Sequence, residues 1–400
     1  MHIPKLRLSR MQPNSTFFMA VTNGPIIGTA GGYQVRLRRS VDVWANMDIK
    51  FCIVSSMETE HPARIGSVDV ESPEYLCPRF KGDPRSYARF LKLVYRRSED
   101  CTAIVCASAI LLPLVRLVTH RRPIIWDSNE CQSLHYSRLE PSLQNRFKGR
   151  AWFMLETVAA RYSSQIVSIS DQEATHWKSL HPTAARKVVV VNHGAVWEKR
   201  DPVASRLWLQ SLIHDPQRGP IVLFLGTLSG KQNMHAANWI VDELGPSLPP
   251  EYTVVLCGPG TELITNVSQR ASARIVGLGF IDDVDSVVAG SDLCIAPLAS
   301  GAGVKTKVLH YLSHGKRVLG TEIAFEGIAG APGTAVSDLS EFASSVIQVF
   351  ESPESPDEAS ERVKLQEDWL RQHDSREVLE EQWRKVFNLV ANGSHIERFR

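Results

Sequence analysis

Ile221-Val-Leu-Phe-Leu225-Gly226-Thr-Leu-Ser-Gly230-Lys231-Gln-Asn233 decides how this chain folds. Five apolar, mostly β-prone residues run straight into a glycine loop, and a lysine opens the helix-like segment that follows. Such a run marks a strand covered on both faces, as in a parallel sheet flanked by helices. The loop can offer backbone N–H groups and a point charge to a phosphate. The same string also serves as an ordinary strand-to-helix turn. It lacks the Walker A spacing, and no G-x-G-x-x-G fingerprint accompanies it, so kinase and simple dehydrogenase readings lose ground.

Outward from this stretch the same alternation continues. Apolar runs at 253–257, 274–276, 293–297 and 317–320 follow it. Runs at 17–21, 50–55, 103–107, 124–126, 165–169 and 188–191 precede it. Segments of helical period, such as 84–97 and 145–162, separate them. The polar stretch 197–219, with Pro202 and Pro216, reads as a linker. The expectation is α/β: two doubly wound, Rossmann-like domains facing across a cleft. The first spans residues 1–198, the linker 199–218 and the second 219–375. The last segment, 376–400, carries Val378, Leu379, Trp383, Val386, Phe387 and Val390 near helical spacing, and is expected to cross back onto the first domain.

The 400 residues exceed one ordinary core, and 43% apolar with 22% charged residues is globular usage. No run reaches the roughly 18 apolar residues of a membrane span. The longest, 103–115, contains Pro113, and no signal-peptide pattern follows the basic N-terminus cleanly, so a cytoplasmic protein is expected. Seven cysteines without a C-x-x-C pair read as buried small hydrophobes. Residues 1–200 carry 28 Lys+Arg against 17 Asp+Glu. The remainder carries 17 (45 − 28) against 26 (43 − 17), so one half is basic and the other acidic. Different partners for the two domains are implied.

The second informative segment is Ala296-Pro-Leu-Ala-Ser-Gly301-Ala-Gly303-Val-Lys305-Thr-Lys307-Val-Leu-His310-Tyr-Leu-Ser-His314-Gly315. A strand ends at Pro297, a small-residue loop follows, and a helix is predicted from near Gly303. Lysines in a first helical turn oppose the helix dipole unless an anion also sits there. That mismatch points to a bound phosphate. Lys307, His310 and His314, at i, i+3 and i+7, are expected on one face.

At this point the sequence resembles the nucleotide-sugar-binding domain of GT-B glycosyltransferases, particularly the retaining enzymes of glycosyltransferase family 4. The residues that carry the likeness are Gly226…Lys231-Gln-Asn233, Gly277-x-Gly279-Phe280 with Asp282-Asp283, Ser291-Asp292, the glycine loop with its lysine helix, Gly315-Lys-Arg-Val and Phe325-Glu326-Gly327. The first half matches more loosely, through Gly31-Gly32, Asp127-Ser-Asn-Glu130, Glu156, Val167-x-Ile-Ser170 and Asn192-His193-Gly194.

The resemblance implies a metal-independent transfer of a sugar from a nucleoside diphosphate sugar to an acceptor, with retention of configuration and no cofactor. It implies catalytic roles for Lys231, Lys307 and Gly32, the lysines neutralising the diphosphate. Donor contacts fall on Gly226, Thr227, Gly279, Phe280, Ile281, Gly301, Ala302, Gly303, Val304 and His310. Acceptor-side residues are Gly31, Asn129 and Glu130. The family's two glutamates around the glycine loop are here Ala302 and His310. Thr227 stands where a basic residue follows the first glycine, and Asn129 where a histidine often precedes Glu130. These departures leave open a GT-B binding or regulatory subunit without donor chemistry, and another GT-B activity such as a sugar-nucleotide epimerase is a further alternative.

On the acceptor side, Arg85, Arg89, Lys92 and Arg96 form a basic stripe opposite Tyr87, Phe90, Leu91 and Val94. The stripe is compatible with an anionic membrane and a lipid-linked acceptor; the alternative is a surface helix with its apolar face in the core. No aromatic stacking array accompanies the basic residues, so nucleic acid is not an expected partner.

Overall fold

The computed structural model describes residues 17–391 apart from 23–31, 48–49, 56–63, 66–67, 72–83, 120–121, 140, 215–218 and 265–271. Two sheets organise it. The first has strands β1 (Phe17–Thr22), β2 (Lys50–Ser55), β3 (Arg64–Ile65), β4 (Val68–Glu71), β5 (Ala103–Cys106), β6 (Ile124–Ser128), β7 (Gln165–Ser168) and β8 (Val188–Val190), in the order β3-β4-β2-β1-β5-β6-β7-β8. Only the short β3–β4 pairing is antiparallel. The second has β9 (Ile221–Leu225), β10 (Thr253–Cys257), β11 (Arg274–Gly277), β12 (Leu293–Ala296), β13 (Arg317–Thr321) and β14 (Thr334–Val336), all parallel, in the order β11-β10-β9-β12-β13-β14. This is the doubly wound order, in which the chain reverses direction across the sheet between β9 and β12. Two such domains across a cleft make the GT-B architecture. The strands β3, β4 and β14 had no counterpart among the sequence expectations, because each is short and carries a polar residue, Arg64, Asp69 or Thr334, in place of a continuous apolar run.

Period-two alternation explains how the first sheet is covered. Met19 and Val21 of β1 face one core, with Phe90, Trp126 and Trp177. Phe18 and Ala20 face the other, with Trp44, Phe51, Trp383 and Phe387. The last two come from the C-terminal helix Arg376–Ala391, so residues beyond the second domain complete the core of the first. Trp44 stacks on Phe51 at 4.9 Å and meets Trp383 edge-on at 5.0 Å. The preceding helix Pro356–His373 opens on a reciprocal cap between Ser355 and Glu358. It ends at buried Asp374, which accepts the Gly194 N–H at 2.9 Å.

The stretch read as a linker holds a helix, Pro202–Leu212, capped by Asp201. Its Leu209, with Ile213, is buried in the second core. Pro202 starts this helix rather than breaking it, since the first turn needs no amide donor there. In the helix Pro84–Ser98, Phe90 and Val94 are buried, while Arg89, Lys92 and Arg96 are exposed. The apolar face of that basic helix thus lies in the core. All six cysteines among the described residues are buried. None of the described helices is long and apolar enough to cross a membrane.

Candidate functional site

The site lies where β9 and β12 part. Their ladder holds only at Leu293–Val222 and Cys294–Leu223. Beyond it the strands diverge, and the buried Tyr311 hydroxyl fills the gap. It accepts the Leu225 N–H at 2.7 Å and lies 3.4 Å from the Ile295 carbonyl. Two loops leave the carboxyl ends of these strands side by side, 226–230 after β9 and 297–305 after β12. In a doubly wound sheet this crevice is where ligands bind.

Lys307 stands between the two loops. It belongs to the helix Thr306–Ser313, which starts three residues later than the sequence suggested; Lys305, still extended, caps it. The Lys307 ammonium donates to Asn233 Oδ1 at 2.8 Å and lies 4.0 Å above the Phe224 ring. Burial, and after it the charge of Lys305, pushes its pKa down to about 7. Asn233 also donates to the Thr227 carbonyl at 3.0 Å, tying the lysine to the first loop. A Cβ on Gly226 would meet Asn233 at 2.9 Å, so this glycine permits that contact. Lys231 is exposed at the start of the helix Lys231–Trp239.

The second loop turns through Gly301 and Gly303, both at positive φ. Across the cleft a Cβ on Gly303 would approach Ile169 at 3.2 Å, the Asn129 carbonyl at 3.6 Å and Glu130 at 4.0 Å. Asn129 and Glu130 of the first domain therefore sit against this loop. Gly301 and Ala302 are buried, and Val304 is half-buried. Gly279 follows β11, and its carbonyl accepts the Gly258 N–H at 2.8 Å. Phe280 is exposed beside it, and Ile281 is half-buried. Gly32 is the first residue of the helix Gly32–Trp44. Gly31 lies outside the described residues.

His310 departs from the expected arrangement. Lys307 faces Asn233, but His310 and His314 face Asp285, with Nε2 to Oδ1 distances of 2.7 and 3.1 Å. The three basic residues therefore do not act on one target. The pKa of His310 is lowered, chiefly by burial and also by His314 and Arg39, while Asp285 opposes the shift.

Several side chains that hold the site were not among the sequence candidates. Lys305 is buried and donates to the carbonyls of Ala302 and Gly303 at 3.2 and 2.6 Å, so it braces the glycine loop from inside. Arg138 of the first domain reaches the Gly301 carbonyl at 3.2 Å and Glu326 at 2.7 Å. Gln172 accepts the Gly327 N–H at 2.8 Å. The contacts of Arg138 and Gln172 join residues more than 150 positions apart, and no local pattern announces them. Arg36, buried, donates to Asp127 at 2.8 Å and to the Asn192 carbonyl at 2.8 Å, fixing the helix that starts at Gly32.

Residues 219–352 match the family described as Glycosyl transferases group 1, so the second domain is a glycosyltransferase domain. No curated protein matches the sequence. Among solved structures, Anabaena Alr3699/HepE in complex with UDP and glucose is 16% identical. The likeness covers 93% of this chain and 99% of that one, with a TM-score of 0.70. WaaG, described as a glycosyltransferase involved in lipopolysaccharide biosynthesis, is 13% identical over 94% and 100% of the two chains, with a TM-score of 0.67. The α,α-trehalose 6-phosphate synthase from Burkholderia multivorans is 13% identical over 95% and 100%, with a TM-score of 0.63. The identities are low, and what these likenesses share with the chain is the fold.

Proposed function

We propose that this GT-B-fold chain, whose residues 219–352 are a group 1 glycosyltransferase domain, transfers a sugar from a nucleoside diphosphate sugar to an acceptor with retention and without a metal ion. The observation that carries the reading is Lys307, an ammonium held by Asn233 between two glycine loops at the switch point of the second sheet. A diphosphate in that crevice would meet Lys307, the amides of loop 301–304 and the exposed Lys231. Their charge would stabilise the leaving group as the bond from the anomeric carbon to the phosphate oxygen breaks. The acceptor hydroxyl would add to the same face of the sugar and pass its proton to the departing phosphate. Gly32 would bring the helix of the first domain towards that phosphate, and Asn129 and Glu130 would border the acceptor. His310 would reach the ribose. Because HepE was solved with UDP, uridine donors are the first to test.

The acceptor partner is proposed to be lipid-linked, at an anionic membrane surface. The support comes from the helix Leu143–Tyr162 rather than the basic helix Pro84–Ser98. Its Leu143, Phe147 and Met154 are 86%, 75% and 69% exposed, with Arg146, Arg150 and Arg161 exposed beside them. Its only acid, Glu156, is buried. An exposed apolar stripe whose exposed charged neighbours on the helix are all cations suits an anionic interface.

A donor panel of UDP, GDP, ADP and dTDP sugars tests the function, reading nucleotide release and the melting temperature. Turnover of one donor to an α- or β-linked product with retained configuration is the expected result. No turnover and no nucleotide-induced shift would sink the enzyme reading, and an inverted product would overturn retention alone.

A further inference from the structure

His310 and His314 lie one turn apart, and both Nε2 atoms converge on a single oxygen, Asp285 Oδ1, at the start of the helix Val284–Gly290. We propose that Asp285, His310 and His314 form a binding site for one divalent transition-metal cation of the zinc class. The three ligand atoms lie within 4.8 Å of one another. Histidines at i and i+4 place two imidazole nitrogens on one helical face. Two such nitrogens with one carboxylate suit Zn²⁺, Co²⁺ or Ni²⁺ rather than Mg²⁺ or Ca²⁺, which take oxygen ligands.

The distances fit a cation with small movements. A tetrahedral ion with bonds of about 2.0–2.2 Å holds its ligands about 3.3 Å apart. Separations of 2.7 and 3.1 Å would open by about 0.6 and 0.2 Å, and the two nitrogens, which lie within 4.8 Å of each other, would settle near the same spacing. In the metal-free protein each nitrogen needs a proton to bond that shared oxygen, and a cation would replace both. Access is one-sided: the His314 side chain is 1% exposed, while those of His310 and Asp285 are 22% and 30% exposed. Three protein ligands then leave a fourth position, on the open side, for water. Arg200 approaches the other oxygen, Asp285 Oδ2, at 3.3 Å and so does not occupy the convergence point. The charges of Arg200 and Arg39 oppose a dication, and the carboxylate with two neutral imidazoles must outweigh them. Once bound, the ion would tie the helix of Lys307 to the helix Val284–Gly290.

The site shares His310 with the proposed ribose contact but does not rest on that reading, and its test uses no nucleotide. Tag-free, chelator-stripped protein is titrated with Zn²⁺ against a chromophoric chelator, and with Co²⁺ for visible absorption. The same titrations are run on Asp285→Asn and His314→Ala, with a melting curve for each variant. One Zn²⁺ per chain is expected for the parent, weakened at least about tenfold by either change, and the Co²⁺ complex should show the intense bands of a four-coordinate site. Asp285→Asn keeps the side-chain size and serves alone if His314→Ala fails to fold. A parent with no saturable site, or folded variants that bind Zn²⁺ like the parent, would overturn the proposal.

Discussion

The Tyr311 hydroxyl accepts the Leu225 N–H at 2.7 Å, at the point where β9 leaves β12. One side chain thereby replaces a rung of the ladder and holds open the crevice in which Lys307, one turn earlier on the same helix, is placed. Tyr311→Phe leaves the Leu225 donor buried without a partner. A loss of about 1–3 kcal/mol is expected, read as a lower urea midpoint, together with weaker nucleotide binding. A variant as stable as the parent would show that water or a backbone shift takes over the bond.

Lys307 gives nucleotide binding a defined pH dependence. With a pKa of about 7 in the free protein, it is charged below that pH and neutral above it. A diphosphate favours the charged form, so its affinity should fall as pH rises from 6 to 9 and binding should take up a proton. Calorimetry in buffers of different ionisation enthalpy measures that uptake. Lys307→Met should bind at least about tenfold more weakly, as a charge-assisted bond is lost, and should show less uptake. Equal proton uptake in parent and variant would remove Lys307 as its source.

His310→Ala should weaken nucleotide binding several-fold if the imidazole meets the ribose. A glutamate at this position would face Asp285, and the like charges offset its gain as an acceptor. His310→Glu alone should therefore bind no better than the parent, whereas His310→Glu with Asp285→Asn should bind more tightly. Parent-like affinity in all three proteins would remove His310 from the ribose.

Buried Glu173 accepts the Cys131 N–H at 2.6 Å, and burial pushes its pKa up to about 8. An unfolded glutamate titrates near 4.3. Between these values the unfolded chain releases a proton that the folded chain keeps. Stability attached to this group is thus full below pH about 4 and is lost as pH rises towards 8, at no more than about 1.4 kcal/mol per unit. Glu173→Gln keeps an acceptor for Cys131 and removes the titration. Its melting temperature should exceed that of the parent at pH 8 by more than at pH 5; a constant difference would show that Glu173 is already ionised.

Flotation with liposomes tests the stripe on the helix Leu143–Tyr162. Binding to anionic vesicles at low salt, and little to neutral ones, is expected. Phe147→Ser with Met154→Ser, both exposed, should abolish it without altering the melting curve. Equal flotation with neutral and anionic vesicles would remove the charge-dependent surface.

Sequence alone determined the repeating local units. Runs such as 221–225 and 254–257 are apolar at every position, and only burial on both faces explains that, so parallel sheets under helices were legible before any coordinates. The glycine loops were legible too, because a strand running into Gly226 or towards Gly301 has few other readings. What the tertiary structure decided is how those units meet. The aim of His310 towards Asp285 and Arg138 reaching Glu326 join chain segments with no spacing rule between them, and the inward turn of Lys305 on its own loop depends on the burial of that loop. The C-terminal helix shows both sides: the period of Leu379, Trp383 and Val386 marks an apolar face, but only the fold reveals Trp44 and Phe18 as what it covers. Local propensity and periodicity act over a few residues, whereas the charge and burial of a side chain are set by neighbours that folding alone brings within reach.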